Sequence, residues 1–231
     1  MKTVRKHLER LRAEKRKRYH PLIHKIHREH KISRRTLFYV KEYGPHSNVL
    51  KTIMKESIKI LIFTSIISSI GGLALENIKT VFISVIPLII LLPVLNDTIG
   101  NYGTIFSSRF STMLHEGRVR RKWRENTELK RMLVQVFIIS ILTAVISSIM
   151  ALGLASLSDF SVGHMTALKV FTIALVDTVI LVGILFLVSV LAGIYFYRKK
   201  EDPNNFLIPI TTSIADFGNM IILSGLVLLF F

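Results

Sequence analysis

The chain contains no cysteine. Disulfide staples, thiolate metal sites and cysteine nucleophiles are therefore excluded, and cysteine usage says nothing about the redox compartment. Acidic residues are scarce, with 15 Asp and Glu against 31 Lys and Arg, which leaves a formal net charge of +16. Tryptophan occurs once and proline six times in 231 residues. The opening, "MKTVRKHLERLRAEKRKRYH", has no apolar run, so no cleavable signal peptide is expected. Charge alone permits nucleic-acid binding, but no module with interleaved aromatics supports it, and no nucleic-acid partner is expected.

What is abundant is hydrophobicity, at half of all residues. It is segregated from the charge. Lys, Arg and His crowd the first fifty residues, and long apolar runs follow. That division is the profile of a polytopic membrane protein with basic cytoplasmic parts. Five spanning segments are expected, at about 58–75, 81–104, 133–157, 170–197 and 206–231. Each is long enough for the hydrocarbon core, and the third and fourth are apolar all round. The fold class is all-α, with a basic cytoplasmic arm over 1–56 and a five-helix membrane domain over 57–231. The connections "ENIKT" and "SDFSVGHMTALK" are poor in Lys and Arg, whereas "RFSTMLHEGRVRRKWRENTELKR" and "YRKKEDP" are rich. The expected orientation therefore has the N-terminus inside and the C-terminus outside a cell membrane.

Polar residues interrupt two of these spans. In "LLPVLNDTIGNYGTIFSSR", Pro93, Asp97, Gly100, Thr104, Ser107 and Ser111 share one helical face, flanked by Asn96, Asn101 and Ser108. In the last span Pro209, Thr212, Asp216 and Asn219 repeat the design. An intramembrane carboxylate costs at least a few kcal/mol unless it meets water, an ion or a partner. Asp216 is expected roughly 15 Å from the cytoplasmic edge, near the midplane, with Asp97 and Asn96 nearer the cytoplasm as a second site. The prolines free a carbonyl one turn earlier, and Gly100 and Gly103 permit close approach or local unwinding. Carboxylates, amides, hydroxyls and carbonyls, without thiols or intramembrane imidazoles, form a hard-oxygen environment that suits Mg²⁺ or Ca²⁺. The plainer alternative is that both aspartates are hydrogen-bond glue between helices.

"PVLNDTIGNYGT" and "EDPNNFLIPITTSIADFGN" resemble the second and fifth membrane helices of the MgtE family of magnesium channels and their eukaryotic solute-carrier relatives. Pro93, Gly100, Asn101, Gly103 and Thr104 match the first motif; Asp202, Pro203, Pro209, Thr212 and Asp216 match the second. The resemblance implies a homodimer with a pore on its two-fold axis, lined by the second and fifth helices. Asp216 and its symmetry mate would hold a hydrated Mg²⁺ as transported and bound ion. Taken together with the polar stripes, the candidate metal set is Asp216, Asp97, Asn96, Asn101, Thr212 and Asn219, with Pro93, Gly100, Gly103, Thr104, Pro209 and Ser213 lining the pore, although Asn96 and Asp97 stand where many family members have small apolar residues. Ile105 replaces the family's polar residue after the first motif, and the family's acidic cytoplasmic sensor has no counterpart in the basic arm. A Na⁺-coupled Mg²⁺ exchanger and a non-transporting membrane scaffold are the alternative functions. The motifs of intramembrane aspartyl proteases, rhomboid hydrolases and lipid phosphotransferases are missing, so no enzyme is expected.

Weaker signals remain. His20, His24, His27 and His30 recur on one helical face, either as a Zn²⁺ or pH-sensing cluster or as an ordinary basic surface. The basic arm is expected to lie on anionic lipid. Ser65, Ser68, Ser69 and Gly72 in the first span, and Ser147, Ala151 and Ala155 in the third, are small residues expected at helix contacts. Asp177 and Lys169 could pair or face a cavity.

Overall fold

A computed structural model describes residues 28–29, 49–119, 123–158, 163–199 and 201–231. Beyond two helical residues at 28–29, six α-helices follow: α1 (Val49–Glu76), α2 (Lys79–Ser84), α3 (Ile86–His115), α4 (Thr127–Leu157), α5 (His164–Lys199) and α6 (Pro203–Phe230). A 3₁₀ turn at Trp123–Glu125 precedes α4. Among the described residues there are no strands. Five of the helices, all but α2, are long and apolar enough to cross a membrane. Helices satisfy every backbone group internally, which hydrocarbon demands. The histidine face and the lipid contact of the basic arm lie outside the described residues.

The second span departs most from its expected bounds. It was expected to begin near residue 81, but Val85 is non-helical at φ −121° and ψ 80°, and α3 starts afresh at Ile86. Pro87 in the first turn explains the break. Proline has no N–H to offer the preceding turn, and at a helix start none is needed. At its other end α3 runs past Thr104 to His115, where Gly117 at φ 71° closes a Schellman turn. There the Arg118 N–H meets the Met113 carbonyl at 2.9 Å and the Gly117 N–H meets that of Leu114 at 3.1 Å.

Capping fixes the next two helix starts. Asn126 Oδ1 accepts from the N–H groups of Glu128 and Leu129, so α4 begins at Thr127, before the expected apolar run. Asp202 Oδ1 accepts from Asn204 N–H, with Pro203 in the first turn of α6. His115 Nε2 lies 3.7 Å from Asp202, joining the end of α3 to the start of α6.

The packing follows from which faces are apolar and small. α3 packs against α4, α5 and α6, while α1 leans on α6. The core between α3, α5 and α6 holds Leu88, Leu91, Leu95, Ile99, Phe106, Leu181, Leu185 and Leu223, all inaccessible to solvent. Ser147, Ala151 and Ala155 of α4 are buried as expected of packing residues. On α1 the contact face is shifted: Thr64 and Gly71 are buried, whereas Ser65, Ser69 and Gly72 are exposed. Large apolar side chains such as Leu61, Ile66, Val134 and Ile138 point outward from α1 and α4, as lipid-facing residues do.

Candidate functional site

Three polar side chains meet between α3 and α6. Asn96 Nδ2 donates to Asp216 Oδ1 at 2.7 Å, and Asn219 Nδ2 donates to Asn96 Oδ1 at 2.9 Å. The spacing from Asp216 to Asn219 places both on one side of α6, and Asn96 reaches across from α3. Asn219 is fully buried, while Asn96 and Asp216 are half-buried. Asn96 thus fixes one carboxylate oxygen of Asp216 and is itself held by Asn219.

This geometry regroups the residues read from the sequence. Asn96 was expected beside Asp97 in a separate, more cytoplasmic site; it joins Asp216 instead. Asp97 is the next residue along α3, so the two aspartates lie at nearly the same depth. The reason is the late start of α3: Asn96 is about 15 Å from Ile86, and Asp216 is about 20 Å from either end of α6. Asp97 Oδ2 accepts from Asn101 Nδ2 at 3.2 Å, and Pro93, Asp97 and Asn101 are exposed on the outside of the bundle.

The stripe through α3 therefore has two edges. On its buried edge lie Gly100, Gly103, Ser107 and Ser111. Ser107 Oγ contacts Thr211 Oγ1 at 3.1 Å and Ser189 Oγ at 3.4 Å, a polar seam across three helices. At Gly103 a Cβ would lie 3.0 Å from Thr211 Cβ and 3.5 Å from Leu185, so the close approach expected of this glycine is present. A Cβ at Gly100 would meet nothing within 4 Å. The remaining hydroxyls mostly serve their own helices. Thr104 donates to the Gly100 carbonyl, and half-buried Thr212 donates to those of Ile208 and Pro209. Pro209 is half-buried beside them. Ser213 faces α1, donating to the Thr64 carbonyl at 2.8 Å and lying 3.1 Å from Ser68 Oγ.

Thr211 and Ser189 were not singled out from the sequence, because an isolated hydroxyl in an apolar run carries no pattern. Asp177 was noticed, but its environment was not legible. It is fully buried on α5, and neither carboxylate oxygen has a hydrogen-bond partner among the described residues. Lys169 does not pair with it; its ammonium lies 4.6 Å from the Phe231 ring. Among the described residues no three acidic, histidine or cysteine side chains gather into a metal cluster within the single chain. A site here must use few carboxylates and neutral oxygens, or draw on a second chain.

A family model described as MgtE, a divalent cation transporter, matches residues 92–226, which is more than half of the chain. The match runs from the first turns of α3 through most of α6 and contains both polar stripes. No curated protein and no solved structure matches. With five long apolar helices, and both polar motifs inside the matched region, the chain belongs to the MgtE family of divalent cation transporters and is a multi-pass membrane protein.

Proposed function

We propose that this protein carries Mg²⁺ across the membrane as a homodimer, through a pore on the two-fold axis lined by α3 and α6. The observation that carries this reading is the exposed polar edge of α3. Asp97 and Asn101 lie on the outside of a single bundle, within a helix long and apolar enough to span. Left against lipid, a carboxylate there would cost at least a few kcal/mol. A second copy facing the same edge encloses it and turns the outside of each bundle into the wall of a shared path. A two-fold interface repeats one surface on both partners, so each acidic group gains a symmetry mate.

Within that path Asp216 is the central ion-binding carboxylate. Asn96 occupies one of its oxygens, and the other is left to a cation or its water. Mg²⁺ gives up its hydration shell reluctantly and is usually held through one or two carboxylates with several waters retained. A site of few carboxylates among amides and hydroxyls fits such an ion, and the lack of soft ligands disfavours soft metals. Asp97 and Asn101 contribute a second polar ring, while Thr104, Thr212, Pro93 and Pro209 border the path. Ser213 belongs to the contact with α1. In this reading the basic ends of α3, α4 and α5 face the cytoplasm.

The test is Mg²⁺ uptake into proteoliposomes by wild type and Asp216→Asn. The variant keeps the acceptor for Asn96 and removes the charge, and uptake is expected to fall at least about tenfold. Unaltered uptake would return Asp216 to the role of helix glue. Repeating the assay with and without a Na⁺ gradient separates a channel from a coupled exchanger.

A further inference from the structure

Between α3 and α4, towards their basic ends, two adjoining cavities open on the bundle surface. The first, of about 360 Å³, is lined by Ser108, Arg109, Arg118, Glu128, Arg131 and Gln135 among others. The second, of about 460 Å³, is lined by Tyr102, Ile105, Val136, Ile138 and Ile139 and shares Arg109 and Gln135 with the first. The shared residues make the two one groove with a basic half and an apolar half.

The charges in the basic half are unequal in their commitments. Arg118 is shared between Glu116 and Glu128, which it reaches at 2.8 Å, so it is committed to carboxylates, while the lining as a whole still sets three arginines against one glutamate. Arg109 and Arg131 have no hydrogen-bond or ion-pair partner among the described residues, and both are exposed. Two free guanidiniums beside a serine hydroxyl and a glutamine amide form a donor set for a phosphate group. Arg109 lies six residues before the end of α3, about 9 Å along its axis, and Tyr102 lies about 10 Å deeper. The groove therefore passes from the depth of headgroups to the depth of acyl chains.

We propose that this groove binds an anionic phospholipid, with its phosphate between Arg109 and Arg131 and an acyl chain along Tyr102, Ile105 and Ile139. Lipid is the occupant that uses both halves. A free phosphate fills only the basic half. Basic pockets between membrane helices commonly receive anionic headgroups, and the expected contact of the N-terminal arm with lipid is a separate matter. The site would place a lipid on the outer side of α3, next to the edge that carries Asp97 and Asn101, since Ile105 and Ser108 follow Asn101 by four and seven residues.

The experiment is native mass spectrometry of the full chain in detergent, titrated with phosphatidylglycerol or with phosphatidylcholine of identical chains. Wild type should retain phosphatidylglycerol at concentrations on the order of tenfold lower than phosphatidylcholine. Arg109→Gln with Arg131→Gln should abolish that preference, and Ile105→Trp, which fills the apolar half, should weaken retention of both lipids. Because all three side chains are exposed, folding is not expected to suffer. Equal retention of the two lipids by wild type overturns the proposal. So does a preference that survives the double substitution, which would assign it to the basic arm. Displacement by millimolar inorganic phosphate would make this a free-anion site, and a change in oligomeric mass in the variants would make it an interface between copies; either result also overturns it.

Discussion

Asn96 does two jobs with one amide: its nitrogen restrains Asp216 and its oxygen receives Asn219. Asn96→Leu removes both bonds and leaves a buried amide on Asn219 without its partner. An unsatisfied buried polar group costs about 1–3 kcal/mol, so the melting temperature in detergent should fall measurably. Asn96→Asp keeps the shape but sets a second carboxylate against Asp216, and Mg²⁺ should protect it from heat more than it protects wild type. Asp177 presents the opposite case. With both oxygens buried and unpartnered among the described residues, it opposes folding, and Asp177→Leu should leave thermal stability equal or higher. A lower melting temperature would mean that the carboxylate has an unseen donor. A higher one accompanied by weaker transport would mark Asp177 as a residue kept for function at a cost in stability.

Helix contacts are decided by small residues. Gly103 lets α3 approach Thr211 of α6, and a Cβ there requires the Thr211 side chain to give way by a few tenths of an ångström. Gly103→Val should destabilise the protein by about 1–3 kcal/mol, the usual cost of overpacking, and disturb uptake because both polar stripes ride on these helices. Ser107→Ala removes one hydroxyl of the seam and should cost only about 1 kcal/mol. The cysteine-free background permits a direct test of the α1 contact. Ser68 and Ser213 have hydroxyls 3.1 Å apart, so Ser68→Cys with Ser213→Cys should close a disulfide on mild oxidation. Protection of both thiols from alkylation, without a change in oligomeric mass, is the expected readout.

At the same scale, helix number and identity followed from apolar runs, because hydrocarbon accepts little else. Helix ends did not. Asn126 and Asp202 extend their helices beyond the apolar stretch by capping, and Pro87 divides a run that reads as continuous. Ser65 and Gly72 looked like contact residues and proved exposed, because sequence spacing gives a helix's stripes but not which one a neighbour covers.

For the molecule as a whole, the exposed polar edge of α3 makes a symmetric assembly testable without reference to transport. In the cysteine-free chain, Asp97→Cys or Asn101→Cys should cross-link to its own mate on oxidation if that edge lies on a two-fold axis. A dimer band on a non-reducing gel is the expected result, and Val134→Cys on the outer face of α4 serves as the control that should stay monomeric. Only monomers at all three positions would count against the dimeric pore. The competing account, in which the aspartates merely join helices, already fits poorly with Asp97, whose one hydrogen-bond partner among the described residues is on its own helix.

The sequence by itself determined that this is an all-helical membrane protein of the MgtE family, since membrane spans, polar stripes and two helix motifs are all local patterns along the chain. It also named Asp216, Asn96 and Asn219 as candidates. Only the tertiary structure decided that these three form one hydrogen-bonded group, that Asp97 lies apart on the outer edge, and that Asp177 has no partner among the described residues. Such pairings depend on the rotation and axial offset of one helix against another. Those are set by contacts such as Gly103 on Thr211, between residues more than a hundred positions apart, which no periodicity within a single helix encodes.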